Sequence, residues 1–218
     1  MDYHELSFAV RLLNPLMDQP PVRVKRESLN RLSGREETRF LDLFFGDNSE
    51  VFLSRNDVFK RSHGTNDKFV LSVLFWGFPA NRRGICAKAF QNWPHLLDWI
   101  GYLRGNRELT RQQFDAIIPQ MHNMHGLGIS MFSKYLYFTG CSINGHRCLI
   151  LDDQVAKGIS RLAGNEFDGL KAATQDSHYR FYKNYPSCLE AMENLANQLG
   201  VSGDQLEYVL WLAGKKRL

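Results

Sequence analysis

Gly126-Leu127-Gly128-Ile129-Ser130-Met131-Phe132-Ser133-Lys134-Tyr135-Leu136-Tyr137-Phe138 is a tight glycine turn entering an aromatic-rich run. Further on, Cys148-Leu149-Ile150-Leu151 ends at two carboxylates, Asp152 and Asp153. The whole stretch from Met124 to Gly164 decides how the chain is read. Two glycines allow a sharp reversal and leave backbone N–H groups exposed at a helix N-terminus, where the dipole favours an anion. The Ser130 hydroxyl and the Lys134 ammonium fall in the first turns of that helix and are candidate partners for a phosphate. An ordinary left-handed turn between two helices has the same sequence, so both readings stand on these residues alone.

The second half of the stretch is also helical. Val155, Ile159 and Leu162 are four and three apart, which places them on one helical face, and Gly164 is positioned to end the helix. One of the two aspartates then sits at the N-cap. There a carboxylate accepts backbone N–H groups whether or not it also does chemistry.

Working outward, the N-terminal side of the turn reads as a helix, 111–121, capped by Thr110. Upstream, Tyr3 to about Met17 has helical spacing at Leu6, Val10, Leu13 and Leu16, stopped by Gln19-Pro20-Pro21. The segment 22–49 is charged and rich in turn formers. Its arginines form either a solvated face or a phosphate-contacting one. Within it, Glu36 to Phe45 reads as helical, and Val51-Phe52-Leu53 as a brief strand. Phe69 to Trp76 is apolar almost all round, the mark of a central buried helix, with a buried strand as the rival reading. Asn81-Arg82-Arg83-Gly84 is a basic turn. Helices are expected over 85–91 and 94–104, and on the C-terminal side over 167–173, 178–184, 187–199 and 203–212. No repeat or low-complexity linker divides the chain, so 1–218 is expected to be one helical unit, possessing at most two closely packed subdomains.

Composition narrows the function classes. The chain has 218 residues and a formal net charge of +4, which favours a polyanionic partner without requiring one. No run of eighteen apolar residues exists, and the N-terminus does not read as a signal peptide, so a cytoplasmic protein without a membrane span is expected. The four cysteines include no Cys-x-x-Cys pair. Neither His122 with His125 nor Cys141, His146 and Cys148 has the paired spacing of a zinc site, so no metal and no cofactor are expected.

The stretch resembles the helix–hairpin–helix superfamily of base-excision DNA glycosylases. Gly126-Leu127-Gly128 with Ser133-Lys134 is similar to its hairpin. Ile150-Leu151-Asp152, with Val155, Ile159 and Arg161, is similar to its catalytic-aspartate segment. The nearest likeness is to the bacterial branch described as 8-oxoguanine-glycosylase-like. The resemblance implies an all-α bundle with a cleft, in which 111–164 carries the hairpin and the aspartate. It also implies an enzyme without cofactor that flips a damaged or modified base out of DNA and excises it, acting as a monomer on a duplex or a single strand. Asp152 is then the catalytic carboxylate, because it alone keeps Val155 and Arg161 in register. Gly126, Leu127, Gly128, Ser130 and Lys134 are the DNA anchors. Trp76, Phe78, Asp153 and Trp211 are candidates for the base pocket, although core packing explains the aromatic residues equally well.

Two departures bear on mechanism. His125 occupies the place where the superfamily hairpin usually has proline. Strand-cleaving members carry a lysine two residues after the second glycine, where this chain has Ser130. Lys134 lies four residues further on, about 6 Å along a helix. Hydrolysis to an intact abasic strand is therefore expected, with a lyase reaction through Lys134 as the alternative. A non-catalytic DNA-binding module and a helical protein without a nucleic-acid role are the rival classes. The excised base, and a role in repair or in defence against viral DNA with modified bases, are not legible.

Overall fold

In the computed structural model, which describes residues 1–29, 35–79, 84–124, 126–174 and 178–217, the chain is an all-α bundle with two small sheets. Helix α1 (Tyr3–Leu12) opens at a capping box in which Asp2 and Glu5 bond each other's backbone N–H. The single helix expected up to Met17 is instead two. Asn14 caps a new start at Pro15, giving α2 (Pro15–Asp18), because proline favours the first turn and cannot continue a helix. The charged segment that follows holds β1 (Val22–Lys25) and α3 (Arg35–Phe45). Strand β1 pairs antiparallel with β2 (Glu50–Leu53), so the brief strand read from Val51-Phe52-Leu53 is present.

Next come α4 (Arg55–Arg61) and α5 (Asn66–Gly77). Every residue of α5 from Phe69 to Trp76 is buried, which settles the helix-or-strand ambiguity of that run. Helix α5 packs against α3, α4, α7 (Trp93–Gly105) and α9 (Ile129–Thr139), with the short α6 (Ile85–Gln91) preceding α7. The hairpin arms are α8 (Arg111–Asn123), started by the Thr110–Gln113 capping box, and α9. A three-stranded sheet of two-residue strands, β3 (Glu108–Leu109), β4 (Ser142–Ile143) and β5 (His146–Arg147), ties the start of α8 to the end of α9. These strands are too short for any periodicity to reveal.

The C-terminal part contains α10 (Asp153–Ser160), α11 (Asp168–Thr174), α12 (His178–Leu199) and α13 (Gly203–Gly214). The two helices expected over 178–184 and 187–199 are one, α12, with Pro186 inside it. Helices α10 and α13 pack backbone to backbone. A Cβ on Gly158 would overlap the Leu210 carbonyl, and one on Gly214 would overlap the Gln154 carbonyl. A buried ion pair joins α4 to α13. Arg55 Nη1 lies 2.7 Å from Glu207 Oε2 and 3.0 Å from the Tyr137 hydroxyl, and the guanidinium carbon lies over the Trp76 ring. Among the described residues no helix is long and apolar enough to cross a membrane. The basic turn at 81–83 and His125 of the hairpin lie outside the described residues.

Candidate active site

The hairpin turn is built as its glycines require. Gly126 has φ +81°, in the left-handed region, and the Leu127 N–H donates to the Met124 carbonyl at 3.1 Å. Gly128 is the N-cap of α9 in an extended conformation, and no side chain caps that helix. Among the described residues a Cβ on Gly128 would meet nothing within 4 Å, so there is open space beside the start of α9. The Tyr182 hydroxyl donates to the Leu127 carbonyl at 3.4 Å and braces the turn from α12.

One helical turn in, Ser130, Ser133 and Lys134 lie on the face of α9 that meets the run Cys148–Leu151. Ser133 clamps that run: its Oγ accepts the Leu151 N–H at 3.1 Å and donates to the Leu151 carbonyl at 3.4 Å. The Tyr185 hydroxyl, donating to the Leu149 carbonyl at 2.7 Å, holds it from the other side. The chain is thereby fixed on the residue before Asp152, and neither Ser133 nor Tyr185 was singled out for this from sequence.

Asp152 is the N-cap of α10, and its two oxygens have different tasks. Oδ1 accepts the N–H groups of Gln154 (2.9 Å) and Val155 (3.2 Å). Oδ2 faces the Lys134 ammonium at 3.3 Å. Capping and charge pairing are thus carried by one carboxylate. Burial alone would raise its pKa. The Lys134 charge, followed by the Val155 and Gln154 N–H groups, outweighs burial and holds Asp152 below its ordinary value of 3.8. Its side chain is still 16% exposed, so the ionised carboxyl group is not sealed from solvent. Asp153, the first residue of α10, is exposed.

Lys134 is 3% exposed, so it faces the interior of the site rather than open solvent. Its ammonium donates to the Ser130 carbonyl (2.9 Å) and the Ser130 hydroxyl (3.1 Å) as well as to Asp152. Three donors meet three oxygens. The Ser130 hydroxyl accordingly points back at Lys134. The aliphatic stem of Lys134 runs past Gly77, where a Cβ would come within 3.1 Å of its Cδ, and its Nζ is 5.7 Å from the Phe78 ring centre.

The three aromatic candidates separate in position. Phe78 is half-buried and touches the Lys134 side of the site. Trp211 is half-buried on α13, stacked 5.9 Å from Tyr208, with the Lys215 ammonium 3.7 Å above its ring. Lys215 belongs to the same neighbourhood as Asp152. Partial burial and then Arg217 lower its pKa, and the Asp152 charge acts in the opposite sense. Trp76, by contrast, is 7% exposed and packed edge-on against Phe138, on the Arg55 side of α5. Among the described residues no group of histidines, cysteines and carboxylates is arranged to hold a metal ion.

The arrangement is a capped, ionised carboxylate beside a buried cation, with an uncapped helix start nearby and two partly exposed aromatic rings flanking it. No curated protein and no solved structure matches the chain. A family model described as "Putative 8-oxoguanine DNA glycosylase OGG-like protein" matches residues 16–211, which include the hairpin, Lys134, Asp152 and Trp211. With nearly its whole length covered, the chain belongs to this OGG-like family.

Proposed function

We propose that the protein is a DNA glycosylase that hydrolyses the bond between a flipped, damaged or modified base and its deoxyribose, leaving an abasic strand. The observation that carries this reading is the two-sided fixing of Asp152. One oxygen is locked by α10 and the other is held as a charge beside Lys134. A glycosidic bond that breaks leaves positive charge on the sugar, and a preorganised carboxylate stabilises that charge without reorganising. The base leaves with the bonding electron pair, water adds to the sugar carbon, and the proton lost by the water is within the reach of the same carboxylate. The hairpin start at Gly128 holds the DNA by its phosphates, contacts that carry no sequence information. Phe78 and Trp211 supply surfaces on which an extrahelical base stacks.

Hydrolysis is favoured over strand cleavage by the surroundings of Lys134. A lysine nucleophile must present a free lone pair to the sugar. Here Lys134 is 3% exposed and the donors of its ammonium are spent on Ser130 and Asp152. Lys134 is thus a positioning residue, which keeps Asp152 ionised and oriented. The base named by the family description is oxidised guanine. A modified pyrimidine of viral DNA, in a defence role, fits the same carboxylate chemistry.

The test is single-turnover incubation with duplexes and single strands carrying 8-oxoguanine or modified pyrimidines. Released base is read by mass, and abasic sites by alkaline cleavage. The expected result is free base and a strand that breaks only after alkali. A covalent protein–DNA adduct trapped by borohydride, and lost in Lys134→Ala, would replace hydrolysis with the lyase route. No release from any substrate, with DNA binding intact, would leave a binding module.

A further inference from the structure

The hairpin carries no free cation of its own on α9. Lys134, the one lysine in its first helical turns, is turned inward to Asp152, and the Ser130 hydroxyl is turned toward Lys134. An anion site built from backbone N–H groups alone would hold a DNA phosphate weakly, since charge supplies most of the affinity for the DNA backbone. A cation is brought to the turn from a different element. Lys88, on α6, lies across Gly126: a Cβ on this glycine would overlap the Lys88 Cδ and sit 2.9 Å from its Cε and 3.0 Å from its Cγ. The bare Cα of Gly126 is therefore a seat for the aliphatic stem of Lys88, in addition to allowing the positive φ of the turn. Lys88 is half-buried by this packing. Among the described residues no carboxylate lies within ion-pair distance of its ammonium.

We propose that Lys88 is a DNA-binding residue that reaches across Gly126 to supply the charge of the hairpin's phosphate site. The inference rests on the hairpin holding DNA, as argued above, and adds a residue outside the hairpin motif. The packed stem matters physically. A lysine on an open surface loses rotamer freedom when it binds a phosphate, whereas this one is already restrained against the turn. Only the ammonium end remains to be fixed by the ligand.

The experiment compares the full chain with Lys88→Met and Lys88→Arg, using a short unmodified duplex and fluorescence anisotropy over a series of salt concentrations. Methionine keeps an unbranched apolar stem on Gly126 and removes the charge. One lost phosphate contact lowers the slope of log K against log salt by about 0.9. Over a fourfold rise in salt the wild type therefore loses affinity ~3.5-fold more than Lys88→Met does. Lys88→Arg should retain the wild-type slope, and thermal melting of both variants should match the wild type. A salt-dependent wild type with an unchanged slope in Lys88→Met would overturn the role of Lys88 while leaving the hairpin reading in place. A wild type whose affinity ignores salt would remove the hairpin reading itself, and this inference with it.

Discussion

Replacing Asp152 by asparagine tests the site where two functions meet in one side chain. The carboxylate uses Oδ1 to cap α10 and Oδ2 to face Lys134. Asparagine has a single acceptor oxygen. If that oxygen keeps the cap, the amide NH2 is turned toward a buried ammonium. If it turns to Lys134, the Gln154 and Val155 N–H groups lose their partner. Removing one member of a well-buried ion pair costs about 3–5 kcal/mol, and a lost cap about 1 kcal/mol. Asp152 is partly open to solvent and one of its two tasks survives, so a loss of about 2–4 kcal/mol is expected. At 2–4 °C per kcal/mol for a chain of roughly this size, thermal melting resolves it easily. Base release should fall about a hundred- to a thousandfold, the cost of one preorganised electrostatic group. Asp153→Asn, an exposed change, should do neither. The pH dependence has a definite sign. The folded pKa of Asp152 is depressed, so its contribution to stability is complete above the unfolded value near 4 and is lost as pH falls through the lower folded value. The stability gap between wild type and Asp152→Asn should therefore be constant at neutral pH and close below about pH 4. Adding Lys134→Met should recover stability, by removing the stranded cation, without recovering activity. An Asp152→Asn protein as stable and active as the wild type would refute both the pairing and the catalytic role. An inactive Asp153→Asn would move the chemistry one residue along.

Two further outcomes are expected from the packing around the site. Arg55→Met leaves Glu207 buried without its cation and should cost about 3–5 kcal/mol in chemical denaturation, most of it regained in Arg55→Met/Glu207→Leu. A single variant as stable as the wild type would mean that the pair is not formed. Gly158→Ala drives a methyl group into the Leu210 carbonyl, backbone against backbone, and should cost about 3 kcal/mol and loosen the helix that Asp152 caps. Gly169→Ala, a helical glycine with open space around it, is the control, expected to be neutral or up to about 1 kcal/mol stabilising. Equal melting temperatures for Gly158→Ala and Gly169→Ala would contradict the close approach of α10 and α13.

The parts of this fold that are legible in sequence are those whose cause is local. The all-apolar run of α5, the Thr110 cap of α8 and the Gly126 turn each follow from residues within one or two turns of one another. Where the helix boundaries differ from expectation, the causes are local too. Asn14-Pro15 is a helix start as well as a helix stop, and it splits the first helix. Pro186 lies inside α12, between the two stretches expected as separate helices. Proline removes one intrahelical hydrogen bond, and a 22-residue helix that buries Tyr185, Cys188 and Leu189 around that position tolerates the loss. The two-residue strands β3 to β5 are a different matter. Glu108 pairs with Ser142 across the whole hairpin, a contact no window of sequence contains.

The same division runs through the site. That one of the two aspartates caps α10 is legible from an apolar run followed by a helical pattern, and the structure places Asp152 there. The inward turn of Ser130 was available too: Ser130 and Lys134 are four apart on one helix, the spacing at which side chains meet. What decides the role of Lys134 is not on its own helix. Gly77, at the end of α5, leaves the space its stem occupies, and Ser133 fixes Leu151 so that the next residue meets its ammonium. Both are commonplace residues whose meaning comes only from what the fold sets against them. Lys88 is the extreme case, a lysine on a short helix with no motif around it. Its claim on the hairpin comes entirely from a glycine that has no side chain to keep it away. Gly126 reads from sequence as a turn former within an anion site, and the turn explains its φ completely. That a second element occupies the volume the missing Cβ leaves open is a fact of packing, and a phosphate site reconstructed from the motif alone would place its charge on Lys134 and leave Lys88 out.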